Sequence, residues 1–435
     1  MTVDTAAPQA VDRSTTVQLR SHSCPLRADS ALPPDAFAAI RRKMLLECCK
    51  WDPQVGDVAT LANFPLLIAR RDWDTVCRIA ESLAAELVAA ETELLTRPGL
   101  HRALAIPRPL RSVLLAALRH GPTPCAVRVL RFDFHWTTEG WRISEVNSDV
   151  PGGFAEASEF TRLVAARCGV PATPAGDPAS AWARSLATAV AGNGHVALLA
   201  APGFMEDLQV VSFMARRLAG RRLVPHLATP SQLEWREGRA HLRTAWYDGP
   251  VDAVVRFFQA EWLPRLPRSS RWRELVARGR TPVSNPGTAV MTESKRFPLV
   301  WDRLGLALPT WRRLLPETRD PRDAPWRSDG GWLLKTALCN TGDTVTARDL
   351  VPANRWRAVC REVWLRPSQW VAQRRFEVVA VPTPIGDVRP CVGVYTIDGR
   401  ACGAYTRLAS GPVIDYRATD AALLVESARE EEDRT

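Results

Sequence analysis

The chain of 435 residues has room for about two or three domains with cores of their own. Hydrophobic residues make up 46% and charged residues 24%, an ordinary soluble balance, and no run approaches the ~18 apolar residues that span a bilayer. The net charge of +10 is spread in ones and twos, as at Arg41-Arg42, Arg216-Arg217 and Arg221-Arg222, which argues against a nucleic-acid groove and suits an anionic small molecule.

The leader MTVDTAAPQAVDRSTTVQLR has no apolar h-region and reads as a loose polar segment, not a secretory signal. Ten cysteines are scattered with no CxxC pair, so reduced thiols in a cytoplasmic protein are expected. Residues 31–120 read as helical: AFAAIRRKMLLECCKW, DTVCRIAESLAAELVAAETELL and RSVLLAALRH all space apolar residues at i, i+3/i+4.

The segment RFDFHWTTEGWRISEVNSDVPGG, residues 131–153, reads as a β-hairpin turning near Glu139. Antiparallel pairing then sets Asp133 opposite Glu145 and Arg131 opposite Asn147, on one face with His135 and Ile143. Phe132, Phe134, Trp136 and Val146 point into a core. Opposed carboxylates with Cβ atoms roughly 5 Å apart destabilise a hairpin unless something positive lies between them. A divalent cation such as Mg²⁺ answers that need; a solvated face pairing its acids with nearby arginines answers it too.

A Gly-Gly loop opens a helix in PGGFAEASEFTRLVAARCG. HVALLAA, RRLVPHLA and VDAVVRFF then read as strands around the helix EDLQVVSFMARRLAG, with helical material at 262–279, a small α/β layer with a partly parallel sheet. After TPVSNPGTAV come a helix at SKRFPLVWDRLG and the strand WLLKTA. WVAQRRFEVVAVPT, RPCVGVYTIDGRACGAYTRLA and VIDYRA are strand-rich, with IDGRA a hairpin turn. The final residues form a charged tail.

Only four lysines occur, Lys43, Lys50, Lys295 and Lys335, so 53 of the 57 basic residues are arginine. A lysine retained in such a chain hints at a position wanting a compact ammonium. The hint is weak for Lys43 and Lys50, on a polar helical face. Lys335 ends an apolar strand before TALCNTGDTV, a reasonable phosphate clamp, and Lys295 follows a Pro-Gly loop at a helix start. Gln373 ends the strand WVAQ, read as an edge open to a nucleotide base.

In this order the blocks resemble the ATP-grasp superfamily, and within it the circularly permuted, glutathionylspermidine synthase-like branch. Arg131-Phe132-Asp133-Phe134 and Glu145-Val146-Asn147-Ser148-Asp149-Val150-Pro151 carry that resemblance, with the later blocks following over residues 125–417. It implies a mixed α+β fold: a circularly permuted ATP-grasp with a pre-ATP-grasp α/β layer and an N-terminal helical region. The implied order is a disordered leader (1–20), the helical region (21–124), the metal-binding hairpin and following helix (125–190) and the α/β layer (191–283). A lid with both lysines (284–375), a strand-rich part of the core (376–425) and the tail (426–435) complete it.

By the same resemblance Asp133, Glu145 and Asn147 bind Mg²⁺, and Arg131 and Arg407 steady the transferring phosphoryl group. Lys295, Lys335, Gly342, Gln373, Arg374 and Phe376 hold ATP. The activity implied is an ATP-dependent C–N ligase joining a carboxylate to an amine or amino acid, with no nucleic acid or membrane partner and a homodimer as the assembly considered. A catalytically silent nucleotide-binding scaffold is the alternative, since only Gly342 lies in the loop after Lys335. Glutathione and spermidine fit poorly, because a polyamine wants an acidic pocket and this chain is basic.

Overall fold

In a computed structural model, residues 23–427 are described apart from 53, 56, 57, 191, 339–344 and 416. The leader, Gly342 and the tail beyond residue 427 lie outside the described residues.

The hairpin forms in the expected register. Val129–Thr137 pairs with Gly140–Asn147, with Arg131 facing Asn147 and Asp133 facing Glu145. Thr137 Oγ1 donates to the Gly140 carbonyl at 2.8 Å across the turn, and Gly140 takes a φ of 93° that a side chain would resist. Beyond Asp133 the register slips, so that Phe134 faces Ile143 and Ser144 becomes an extra, unpaired residue. This bulge turns Ile143 onto the face opposite to the one expected. It is fully buried with Phe132, Phe134 and Val146 instead of sharing a face with Asp133. Trp136 is half-buried and packs edge-on against Trp141, with ring centres 5.3 Å apart.

The hairpin is one end of a mostly antiparallel sheet that continues through Gly386–Ile397 and Arg400–Ala409 to Thr419–Ala421. The turn at Asp398-Gly399 has φ of 47° and 79°, the doubly positive pair that matches strand twist in a two-residue hairpin. Helix Arg70–Thr96 packs on the sheet through Trp73, Val76, Ala80, Leu83, Leu87, Ala90 and Leu94, an amphipathic stripe.

A second sheet is wholly parallel: Val283–Ser284, Ala253–Phe257, His195–Ala200 and Val224–Ala228, in that spatial order. Helix Met205–Ala219 makes the crossover between its last two strands. The sheets are tied by Asp149, two residues beyond the hairpin. Its carboxylate is paired with wholly buried Arg256 and accepts the Ala260 N–H at 2.6 Å.

A three-stranded sheet sets Trp370–Arg374 between Thr318–Arg319 and Trp332–Thr336, so Gln373 lies on a central strand and not an edge. The N-terminal region carries strands as well as helices. Leu66–Ala69 lies between Leu26–Ala28 and Leu423–Glu426, joining the two ends of the described chain.

Three expected elements change. SKRFPLVWDRLG yields a 3₁₀ run, Phe297–Arg303, burying Phe297 and Val300 at the spacing of three such a helix favours. Lys295 therefore sits in the linker before that run, not at a helix start. Residues 262–279 form only short 3₁₀ turns. VIDYRA forms no strand at its described residues; pairing begins at Thr419.

Breaking a buried ion pair from one side strands the other charge. Asp149→Ala is therefore expected to lower unfolding free energy by roughly 3–5 kcal/mol in denaturant titration. The double change Asp149→Leu with Arg256→Met costs less, because neither charge is left alone.

Candidate functional site

Three strands converge on Asp133, a carboxylate only 1% exposed. Arg131 on the same strand gives it Nε at 2.9 Å and Nη2 at 3.2 Å. Arg407, two strands away, gives Nη2 at 2.8 Å, and Asn147 across the hairpin gives Nδ2 at 3.3 Å. Gly393 lies between these strands, paired with Asp133. A Cβ there would come within 2.8 Å of Arg131 Cδ and 3.0 Å of Asp133 Oδ1. The absent side chain is what lets Arg131 fold back onto the acid. Burial would raise the Asp133 carboxyl, but Arg131 and Arg407 outweigh it and hold it at about 2.

Glu145 faces another way, toward Lys295 Nζ at 3.5 Å. Burial pushes its carboxyl up, and the ammonium groups of Lys295 and Lys335 more than offset this. Lys335 Nζ donates to the Ser144 carbonyl at 3.2 Å, so the bulge residue supplies the lysine's acceptor. Burial draws that ammonium down to about 8 against the pull of Glu145. Lys295, Lys335, Glu145 and Gln373 line one cavity of about 30 Å³. Its Gln373 donates Nε2 to Thr318 Oγ1 at 3.0 Å.

Arg374, the next residue on that strand, points the opposite way. It pairs with Asp329 at 2.6 Å and covers the Trp332 ring at 4.6 Å, so it is not brought to the lysines. Phe376 reaches the hairpin and packs on His135, ring centres 5.3 Å apart. Burial lowers His135 to about 4, leaving a neutral ring that meets Ser144 Oγ at 3.1 Å.

At the open end of the hairpin lies a cavity of about 360 Å³, lined by Arg131, Asn147 and Arg407. The remaining walls carry a group that pattern reading missed: Lys50, Asp52, Glu156, Glu206, Asp207 and Asp420. Lys50 is not on an exposed helical face. It follows the end of helix Pro34–Glu47, is 8% exposed, and contacts Glu156 at 2.7 Å and both Asp52 and Asp420 at 3.3 Å. The sequence signal for it was the scarcity of lysine; no local spacing points to its partners. A basic chain thus encloses an acid-rich cavity, which removes the charge-based objection to a cationic substrate.

The loop leaving the hairpin is anchored from below. Glu293 Oε2 accepts the N–H groups of Ser148 and Asp149 at 2.6 and 2.8 Å. Burial raises its carboxyl to about 8.

Among the described residues no group of three or more His, Cys, Asp and Glu is poised to hold a metal. The hard-oxygen set Asp133, Glu145 and Asn147 nevertheless suits Mg²⁺ in kind, with both acids ionised at neutral pH. Arginine and lysine supply the positive charge that the opposed acids require. The nine described cysteines are unpaired, and among the described residues no helix is long and apolar enough to cross a membrane.

Two measurements check this account. Gly393→Ala is expected to cost about 1–3 kcal/mol of stability by overpacking, read from the denaturation midpoint. For Asp133, a carboxyl depressed in the folded state contributes stability above its unfolded pKa and loses it as pH falls toward about 2. Asp133→Asn should therefore flatten the fall of thermal stability between roughly pH 4 and pH 2.

No family model matches the chain, and no curated protein matches it. Among solved structures, it is similar to a glutathione synthetase-like effector from Globodera pallida in its apo form. That likeness has a TM-score of 0.59 at 12% identity over 91% of this chain and 99% of the other. A gamma-glutamylcysteine synthetase-like protein from Methylobacillus flagellatus overlaps 76% of this chain and 87% of its own, with a TM-score of 0.42 at 10% identity. The first of these identifies the architecture as the mixed α+β fold of a glutathione synthetase-like protein.

Proposed function

We propose that the chain is an ATP-dependent carboxylate–amine ligase built on a circularly permuted ATP-grasp fold. One observation carries the reading. Glu145 and Gln373 line a cavity with Lys295 and Lys335, and Arg131 and Arg407 line a separate, acid-rich cavity at the open end of the same hairpin. That gives a phosphate-binding cavity and an amine-binding cavity, with a carboxylate-binding pair of guanidiniums in the second. The fold of the synthetase-like effector supports the same class of protein.

In this reading Lys295 and Lys335 hold the triphosphate as point charges, and Gln373 with Phe376 borders the base. Asp133, Glu145 and Asn147 would hold Mg²⁺, which supplies charge neutralisation on the phosphate oxygens. The substrate carboxylate lies against Arg131 and Arg407, and one of its oxygens attacks the γ-phosphorus as the bond to ADP breaks. The amine then attacks the acyl carbon, phosphate leaves, and the acids of the second cavity can accept the amine's proton. The buried guanidiniums lie preorganised on Asp133 and need only share their donors with the anion.

The test is turnover. Protein with Mg²⁺, ATP and pools of amines and acids should release ADP and phosphate. Asp133→Asn and Lys335→Met should each cut that release by about 10²-fold or more while the protein still melts cooperatively. A wild-type protein that neither releases phosphate with any pool nor melts at a higher temperature with Mg-ATP sinks the ligase reading. One that gains stability from Mg-ATP but never turns over is the scaffold instead.

A further inference from the structure

The acid-rich cavity contains its own cation. Asp52, Glu156 and Asp420 converge on the ammonium of Lys50, within 2.7 to 3.3 Å. Asp420 is held by a second contact, the Tyr405 hydroxyl at 2.7 Å. Tyr405 in turn lies beneath both active-site guanidiniums, with ring-to-Cζ distances of 5.2 Å to Arg131 and 5.5 Å to Arg407. The Lys50 cluster is therefore one aromatic ring away from the groups assigned to the reacting carboxylate.

The charges there do not balance. Three carboxylates surround one ammonium, and Asp52 Oδ1, though near Lys50, is buried without a hydrogen bond. Two further acids, Glu206 and Asp207, line the cavity from the first turn of helix Met205–Ala219. Arg131 and Arg407 do not neutralise this group, because both are turned onto Asp133. Arg417 engages Asp415, leaving that acid out of the count. The cavity thus has its inner cation position filled by the chain and its outer acids, Glu206 and Asp207, without a cation paired to them among the described ion pairs.

We propose that Lys50 determines the acceptor class: its ammonium takes the place that the distal ammonium of a diamine or polyamine would occupy, so the cavity selects an acceptor carrying a single amine. The proposal rests on the ligase reading for its meaning in turnover, but its binding consequence does not involve ATP. An ammonium arriving beside Glu156 and Asp420 meets a like charge already fixed there, and the low dielectric of a buried site makes that repulsion large. Removing Lys50 leaves three acids that a substrate's second ammonium can satisfy instead.

The test compares butylamine with putrescine at matched ionic strength, by calorimetry and thermal melting without nucleotide. Wild-type protein and Lys50→Arg should bind butylamine at least about tenfold tighter than putrescine, and Lys50→Ala should reverse that preference. Equal affinities in Lys50→Ala overturn the proposal. So does wild-type protein that binds putrescine as tightly as butylamine. Loss of the buried ammonium endangers folding, so Lys50→Met, which keeps the aliphatic stem, is the second variant. If either variant folds only with amine present, putrescine should restore the melt at lower concentration than butylamine, and equal concentrations overturn the assignment. Melting of wild-type protein with Mg-ATP alone is run in parallel. Failure there strikes the ligase reading and leaves the amine comparison standing.

Discussion

A carboxylate buried to 1% exposure cannot remain ionised without partners, and that constraint at Asp133 organises the centre of the molecule. Its partners come from three strands, so the order Arg400–Ala409, Gly386–Ile397, Val129–Thr137, Gly140–Asn147 is the arrangement that makes the charge tolerable. The strand between Arg407 and Asp133 must lack a side chain at the crossing point, and Gly393 meets that need. Downstream, Asp149 repeats the device with Arg256, binding the parallel sheet to the hairpin. Two buried acid–arginine pairs thus orient the layers, while apolar packing beneath Arg70–Thr96 and around the parallel sheet fills two large core clusters.

The hairpin was legible in the sequence because everything that forms it is local. Alternation, a Thr-Thr-Glu-Gly turn and opposed acids all lie within about twenty residues, although the turn sets Phe134 opposite Ile143 and the bulge is what brings Asp133 opposite Glu145. The bulge at Ser144 does leave a mark, since Ser144 and Glu145 set two polar residues between Ile143 and Val146 and so break the alternation. Its effect is visible in Ile143, which moves to the core, and in the Ser144 carbonyl, which meets Lys335.

Lys50 illustrates the opposite case. Its ammonium meets Asp420 across 370 residues of chain, and no window of sequence holds both. The same distance explains why Leu66–Ala69 was not separated from its helical surroundings: a four-residue apolar strand buried on both faces shows no period. Charge misled in a similar way. A net +10 describes the surface, where arginines lie scattered, and says nothing about a cavity whose lining is drawn from distant segments.

Those segments give the two cavities linings of opposite charge. In one, two lysines meet the carboxylate of Glu145, and Glu293, whose carboxyl burial raises to about 8, lines it as well. In the other, acids outnumber Lys50, an excess of negative charge suited to an amine. Two guanidiniums bound to Asp133 leave a single net positive charge at the open end of the hairpin. The Lys335 ammonium is lowered first by its burial and then by the like charge of Lys295, against the pull of Glu145. In the proposed ligase, linings of opposite charge would sort an anionic and a cationic ligand before any contact specific to either is made.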